Sequence, residues 1–418
     1  MVLIPSNTLI KKLNISLTGL WTEQLTNENE TVLASKLPTN VIKAVYCGAK
    51  CSIIISVIEV EQVQILCAGL QIEDEVDNPI TVFNPFVTED EQFLIEKLLT
   101  YQSVKLYFFD ELSIPVLGTI CSFDNSQSKK VLFELKKTKP YYLGMSNDTI
   151  NSLLELSQVI DLALDLFQKD IYPSEDGKPL MALFKHLIPL SLTISEPIPN
   201  YVITTGVTIE TKLNDNNEGV AQEQSIYALI GYIYPNCTFH SPKIEKETSK
   251  RELIDIIGFD FESKTICLVE SKAMYILEIE MNRPGKRRAT SVVKQINKAL
   301  DQLKGAIKKI RSGEDIFNKE GQIINIPERK TSLIHAIILI SEMYFLIDWR
   351  EVADVILKSS EQDQYKALFH VFDLQELQYL ANYSKEAKVF NSLLIQRWVE
   401  VKKKRSLYIR GKRPIEYE

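Results

Sequence analysis

Arginine is absent from the first 250 residues of this 418-residue chain; the first to occur is Arg251. Histidine is scarce as well. His186, His240, His335 and His370 are the only four, isolated in the sequence and without metal-ligand spacing. With 15 Gly and 16 Pro the chain cannot be collagen-like or of low complexity. The longest apolar stretch, Leu333 to Ile340, spans eight residues and includes His335, against the ~20 that a membrane helix needs. The N-terminal MVLIPSNTLIKK has no basic leader followed by an apolar segment, so a cytoplasmic protein without membrane partners is expected. No Walker loop, GxGxxG or GxSxG occurs, which leaves NTP hydrolysis, dinucleotide binding and acyl transfer without support. Six cysteines are scattered through apolar, strand-like surroundings, as reduced buried thiols are. Cys47 and Cys51 lie close together, but a zinc site would need a second pair of Cys or His nearby, so core packing is the reading adopted.

What is present is a globular composition, 45% hydrophobic and 25% charged, on a length that suits two or three domains. The net charge of -7 is unevenly divided. Residues 1–200 carry 15 Lys and no Arg against 25 acids, or -10; residues 201–418 carry 33 Lys plus Arg against 30 acids, or +3. Ten cations cluster between Arg283 and Arg311 with Asp301 as the lone acid, and a second basic cluster runs from Lys402 to Arg413. Such segments suit a polyanion or a solvated helix face.

The patterning predicts a multidomain α+β and α/β protein. Residues 1 to about 140 read as strands (SIIISVIEVEQVQILCAGLQI, SVKLYFFDEL, KKVLFELKK) interrupted by a helix from Glu89 to Thr100. A helix is expected over residues 148–169. Five prolines and the polar stretch Asn214 to Glu218 follow, and that stretch is the expected linker. From Gly219 helix and strand alternate: a helix from Glu223 to Tyr234, strands at Leu253 to Phe259 and Thr265 to Ser271, a helix from Thr290 to Arg311, and a buried strand from Ser332 to Ser341. That order points to a mixed sheet with helices on it. Residues 346–418 read as a helical extension with a basic tail. The expected domains are thus an acidic β-rich one over 1–200, a mixed-sheet one over 201–345, and the extension.

The stretch with chemistry in it is Arg251 to Ala273, RELIDIIGFDFESKTICLVESKA. A hairpin turning near Glu262 sets Asp255 opposite Glu270, with paired residue numbers summing to about 525; opposed side chains there have Cβ atoms about 4.5–5.5 Å apart. Two carboxylates so close repel, and a divalent cation relieves the conflict while keeping sites for water and phosphate oxygens. Lys272 falls on the same face, where its ammonium can orient a water or stabilise charge on a phosphate. Ile254, Ile256 and Val269 are expected to face the opposite way, into a core. Asp260 is the rival first ligand, but it falls at the turn.

These residues resemble the PD-(D/E)xK nuclease superfamily: Glu270-Ser271-Lys272 is similar to its ExK element, and Asp255 to its preceding aspartate. Glu252 sits one residue farther from Asp255 than the commonest form and receives no role. The resemblance covers about residues 219–345 and implies a restriction-endonuclease-like core. It implies Mg²⁺ or Mn²⁺ held by Asp255 and Glu270 with Glu223, Lys272 positioning the attacking hydroxide, and Gln295 or Gln302 orienting the site or the scissile phosphate. Arg283, Lys286, Arg287, Arg288, Lys294, Lys298, Lys304 and Lys308 would run along a nucleic-acid backbone. The expectation is a Mg²⁺-dependent nuclease acting on DNA, plausible in bacterial restriction or anti-phage defence and acting as a dimer or higher homo-oligomer. Residues 1–200 are expected to gate it, assemble it or bind a protein partner. The alternatives are an RNA-directed nuclease and a non-catalytic scaffold that binds nucleic acid or protein.

Overall fold

The computed structural model describes residues 5–15, 18–25, 30–60, 63–73, 80–85, 89–137, 182–204, 207–213, 218–246, 249–273, 285–326, 328–341, 343, 347–362, 367–384 and 386–407. The chain divides into two compact units between Ile198 and Pro199, some 15 residues before the polar stretch expected to be the linker.

The N-terminal unit runs through helix α1 (Asn7–Ile15), strands β1 (Gly19–Leu25) and β2 (Glu30–Lys36), helix α2 (Thr39–Tyr46) and strands β3 (Lys50–Val60), β4 (Val63–Glu73) and β5 (Ile80–Pro85). Helix α3 (Glu89–Thr100), strands β6 (Ser103–Phe109) and β7 (Pro115–Phe123), helix α4 (Asn125–Leu135) and strand β8 (Ala182–Ile194) complete it. The eight strands form one sheet in the order β1-β2-β6-β7-β8-β3-β4-β5. Every pair is antiparallel except β2 with β6. The sheet curls until its edges meet, where the Leu20 N–H donates to Asn84 Oδ1 at 3.0 Å. Gly19 leaves room for this, because a Cβ there would fall 2.4 Å from Asn84 Oδ1.

The β-rich reading of this unit holds, with three differences. KKVLFELKK is the body and C-terminal end of α4 rather than a strand. Asp124 caps that helix by accepting from the Ser126 and Gln127 N–H groups at 2.8 and 3.3 Å. Val131 and Leu135, four apart, are buried, while Phe133 between them is 59% exposed, so the period is helical. Helices α1 and α2 were also unforeseen. Finally, the proline-containing stretch after residue 170 conceals β8. Pro189 is tolerated inside this central strand because β7 pairs with β8 only from Leu190 onward, so at Pro189 one side of the strand is open. The helix expected over 148–169 lies outside the described residues.

The C-terminal unit opens with the hairpin β9 (Asn200–Thr204) and β10 (Val207–Thr211), followed by helix α5 (Glu218–Ile233). Strands β11 (Thr238–His240), β12 (Lys243–Lys246), β13 (Ser249–Glu252), β14 (Ile256–Asp260) and β15 (Thr265–Lys272) come next. Then follow helix α6 (Gly285–Ser312), strands β16 (Ile316–Phe317) and β17 (Leu333–Ile340), helix α7 (Trp349–Gln362), strand β18 (Ala367–Asp373), and helices α8 (Leu374–Ser384) and α9 (Ala387–Lys404). The main sheet has the order β11-β14-β15-β17-β18. β14 is antiparallel to both its neighbours, β11 and β15, and the last three strands are parallel, with α6 and α7 as the crossovers that parallel pairing requires. This is the mixed sheet the helix–strand order predicts. A second sheet, β13-β12-β16, lies beside it in sequence.

Strand alternation sorts the core into two layers. Ile257, Phe259, Ile266 and Leu268 pack with Val292, Ile296, Ala299 and Leu303 of α6 and with Ala353 and Ile356 of α7. Ile256, Cys267 and Val269 pack on the other face with Ile226 and Ile230 of α5, Leu377 of α8 and Leu394 of α9. Gly258 lets α5 lie close, since a Cβ there would fall 2.9 Å from the Tyr234 ring. Ile254, expected to face away from Asp255, instead packs in the α6 layer; it precedes the β14 ladder, which begins at Ile256, and its neighbour Leu253 donates its N–H to the Pro242 carbonyl. The expected helical extension contains β18, which joins the main sheet beside β17. Its seven residues, ALFHVFD, lie between long helices, and only pairing with β17 identifies them as a strand.

Candidate active site

The turn Asp260–Lys264 sets the geometry. Asp260 accepts from the Ser263 N–H at 2.8 Å, and Lys264 takes a left-handed conformation at φ 52°. The ladder that follows pairs Ile256 with Val269 and Asp260 with Thr265, a constant sum of 525, as expected. Asp260 is therefore committed to the turn, at the far end of the ladder from Glu270. Asp255 stands just outside β14, level with Glu270, and its Oδ2 accepts from the Ser271 N–H at 2.6 Å. The site lies at the carboxyl end of β15, where it runs parallel to β17, the end of such sheets at which ligands bind.

Glu270 is 1% exposed. Its Oε1 accepts from Lys272 Nζ. Its Oε2 is buried and has no hydrogen-bond partner among the described residues. Burial pushes the Glu270 carboxyl above its usual range, opposed by the Lys272 ammonium and reinforced by the Glu252 and Glu223 carboxylates. Asp255 is pushed up to about 7, first by burial and then by Glu270, with Glu223 adding to the effect and the Ser271 N–H and Lys272 resisting it. The side chains are thus an acid pair carrying more negative charge than its surroundings stabilise. Glu223, on the second turn of α5, contributes to that field while its Oε2 lies 3.3 Å from His240 Nε2.

These features decide whether a divalent cation suits the residues. A buried carboxylate oxygen with no donor among the described residues, beside a second carboxylate that burial and Glu270 push up to about 7, is short of positive charge and of one ligand. Mg²⁺ binds through one or two carboxylates and keeps water in its other positions, so the pair fits it. Among the described residues no three His, Cys, Asp or Glu groups converge on one point, and a two-carboxylate Mg²⁺ site needs no third.

Other expected site residues are placed less tightly. Gln295 is half-buried and Gln302 exposed on α6, seven residues or roughly 10 Å apart along the helix. Lys294, Lys298, Lys304 and Lys308 are all exposed on α6. Lys286, Arg287 and Arg288 belong to its first turn, and Arg283 lies outside the described residues. In the second basic cluster, Lys402 meets Glu361 at 2.9 Å and Arg405 meets Asp354 at 2.5 Å, tying the end of α9 to α7, and Lys404 lies 3.9 Å from Glu400 within α9; its residues from 408 onward lie outside the described ones.

Residues that the sequence did not single out complete the surroundings. Gln222 Nε2 donates to Ser271 Oγ at 2.9 Å, and its Oε1 accepts from Ser341 Oγ at 3.3 Å, tying α5 to the ends of β15 and β17. Lys319 Nζ lies 2.6 Å from His240 Nδ1. These partners are 49, 119 and 79 residues apart, and no local signal marks them. Two histidines expected to stand alone do not: His335 Nδ1 and His370 Nε2 lie 3.2 Å apart in the core, brought together by the β17–α7–β18 crossover. Of the cysteines, Cys51, Cys67, Cys121 and Cys267 are buried and Cys237 half-buried, and all are free thiols, in keeping with the packing role; Cys47 is exposed.

Comparison with protein-family models, with curated proteins and with solved structures finds no match to this chain.

Proposed function

We propose that the C-terminal unit is a Mg²⁺- or Mn²⁺-dependent nuclease acting on DNA. The observation that carries the reading is the Asp255–Glu270 pair with Lys272 beside it, at the end of a two-stranded ladder that fixes their spacing, with Glu270 Oε2 left without a donor among the described residues. The likeness of these residues to the PD-(D/E)xK pattern supports it, as does the succession α5, β11, β14, β15, α6, β17 around them. Asp255 and Glu270 would hold the cation, with Glu223 supporting them. Bound there, a divalent cation supplies Lewis-acid stabilisation of a phosphoryl oxygen and lowers the pKa of water.

The protein's own groups have separate tasks. The Ser271 N–H fixes the Asp255 carboxylate through Oδ2. Lys272, 14% exposed at its side chain, holds Glu270 Oε1. An ammonium there orients an attacking water and stabilises charge as that oxygen bonds to phosphorus and the ester oxygen leaves. The exposed lysines of α6 add sequence-independent attraction for phosphates. The first turn of α6 carries Lys286, Arg287 and Arg288 with no acid, the reverse of what the helix dipole favours unless an anion lies near. Residues 1–200, with their charge of -10, are poorly suited to DNA and are assigned to gating, assembly or a protein partner.

The test is cleavage of linear, circular and single-stranded DNA and of RNA by the full chain, with Mg²⁺ or EDTA. Cleavage abolished by EDTA and by Lys272→Ala is expected. Cleavage that survives Lys272→Ala would refute the assignment, and cleavage of RNA alone would redirect the substrate.

A further inference from the structure

His240 lies on β11, directly opposite Ile256 in the ladder with β14 and so one residue from the level of Asp255. Both of its ring nitrogens are engaged. Nδ1 lies 2.6 Å from Lys319 Nζ and Nε2 lies 3.3 Å from Glu223 Oε2. An ammonium has only donors, so Nδ1 must be the accepting nitrogen. The ring proton then sits on Nε2, and it donates to the Glu223 carboxylate. Tyr227, one turn along α5 from Glu223, packs its ring 5.5 Å from the imidazole and restricts its tilt. Lys319, from the segment after β16, therefore sets the tautomer of a histidine on β11, and that histidine holds a carboxylate on α5.

We infer that His240, locked by Lys319 as the Nε2–H tautomer, is a positioning residue that holds the Glu223 carboxylate at the edge of the Asp255–Glu270 cation site, as an outer partner acting through water and not as a third ligand. The inference rests on the nuclease reading above, since it supposes that a divalent cation binds there. It adds to that reading a division of labour. Asp255 is fixed by a backbone N–H and Glu270 by Lys272, both within the hairpin. Glu223 comes from a separate helix and has no hairpin group to orient it. A carboxylate on a long, half-buried side chain loses rotamer freedom when it must face one point, and a rigid imidazole donor removes that freedom before the ion arrives. Outer partners of this kind are worth about 10–100-fold in metal affinity.

The test is Mn²⁺ binding to the full-length protein, by calorimetry, without nucleic acid. Wild type should bind, and Asp255→Asn should not. His240→Ala should bind about 10–100-fold more weakly. His240→Gln, whose amide nitrogen can replace Nε2–H as donor, should recover most of the loss, whereas His240→Asn, too short to reach, should not. Lys319→Met, at an exposed position, should weaken binding in the same direction by less. Combining His240→Ala with Glu223→Gln should cost no more than Glu223→Gln alone, because both remove one aimed carboxylate. If Asp255→Asn abolishes binding while His240→Ala binds like wild type, the positioning role falls and the site stands. The role also falls if His240→Gln is as weak as His240→Ala in a folded protein, or if the losses from His240→Ala and Glu223→Gln add. If wild type binds no Mn²⁺, or Asp255→Asn binds as well as wild type, the cation site itself is refuted and the inference with it.

Discussion

Replacing Lys272 with methionine should destabilise the C-terminal unit in a strongly pH-dependent way. The Glu270 side chain is 2% exposed and that of Lys272 14%, so the pair is buried. Removing one partner of a buried ion pair leaves an uncompensated charge and costs about 3–5 kcal/mol. Glu270 has one escape, which is to take up a proton. Its folded pKa already stands above the ordinary 4.5 by burial, and losing the ammonium that opposes this raises it further. Between the unfolded and folded values the native state binds the extra proton, so stability falls as pH rises through that window. Lys272→Met should therefore be about 3–5 kcal/mol less stable than wild type at pH 8, with the gap narrowing by up to about 1.4 kcal/mol per pH unit toward pH 5. Adding Glu270→Gln should restore most of the loss at pH 8, because no charge then remains buried. The assay is urea unfolding followed by hydrogen exchange of peptides covering β14 and β15, at both pH values. A deficit below about 0.5 kcal/mol at pH 8, the range of an ordinary surface substitution, would refute the buried pair. An equal deficit at the two pH values would refute the charge argument.

Two further pH effects follow from other groups. Because Asp255 is held at about 7, above its ordinary 3.8, a cation binding there must displace a proton below that pH. Mg²⁺ affinity should climb up to about tenfold per unit as pH rises toward 7 and level off above it; a flat profile between pH 5.5 and 7 in a calorimetric titration would contradict this. His335 is pushed down to about 4 by burial, and His370 is pushed down by burial, by His335 and by Arg397. Both fold as neutral rings, so the stability they permit is present above the unfolded value of 6.5 and is lost as pH falls below it. The urea midpoint should drop between pH 6.5 and 4, and His370→Gln should make that acid limb shallower; an unchanged slope would show that other groups govern it.

The fold was legible where local rules sufficed. The turn Asp260–Lys264 and a side-chain period of two leave one register for the β14–β15 hairpin, so the pairing of Asp255 with Glu270 and the side taken by Lys272 follow from residue order alone. The apolar stripe Val292, Ile296, Ala299, Leu303 and Ile310 marks the buried face of α6 just as directly, and all five are buried. Reading failed where period two and period four describe the same few residues, as at Val131, Phe133 and Leu135, which the Asp124 cap turns into helix. It failed again for β8 and β18, whose strand character comes from partners far away in the chain. Pro189 argues against a strand until the open side of its ladder is seen.

For the site, composition and spacing selected the acids and the lysine but left their charge state open. That state is a tertiary property: burial and neighbouring carboxylates raise Asp255 and Glu270, and among the described residues Glu270 Oε2 has no donor. The chain Lys319–His240–Glu223 belongs to the same class. Its members come from the segment after β16, from β11 and from α5, and no residue-to-residue rule along a sequence connects them. What residue order determined was the hairpin and its chemistry, because a ladder propagates register from a turn. What only the folded chain decided was which distant groups surround that hairpin, because desolvation and hydrogen bonding depend on distance in space.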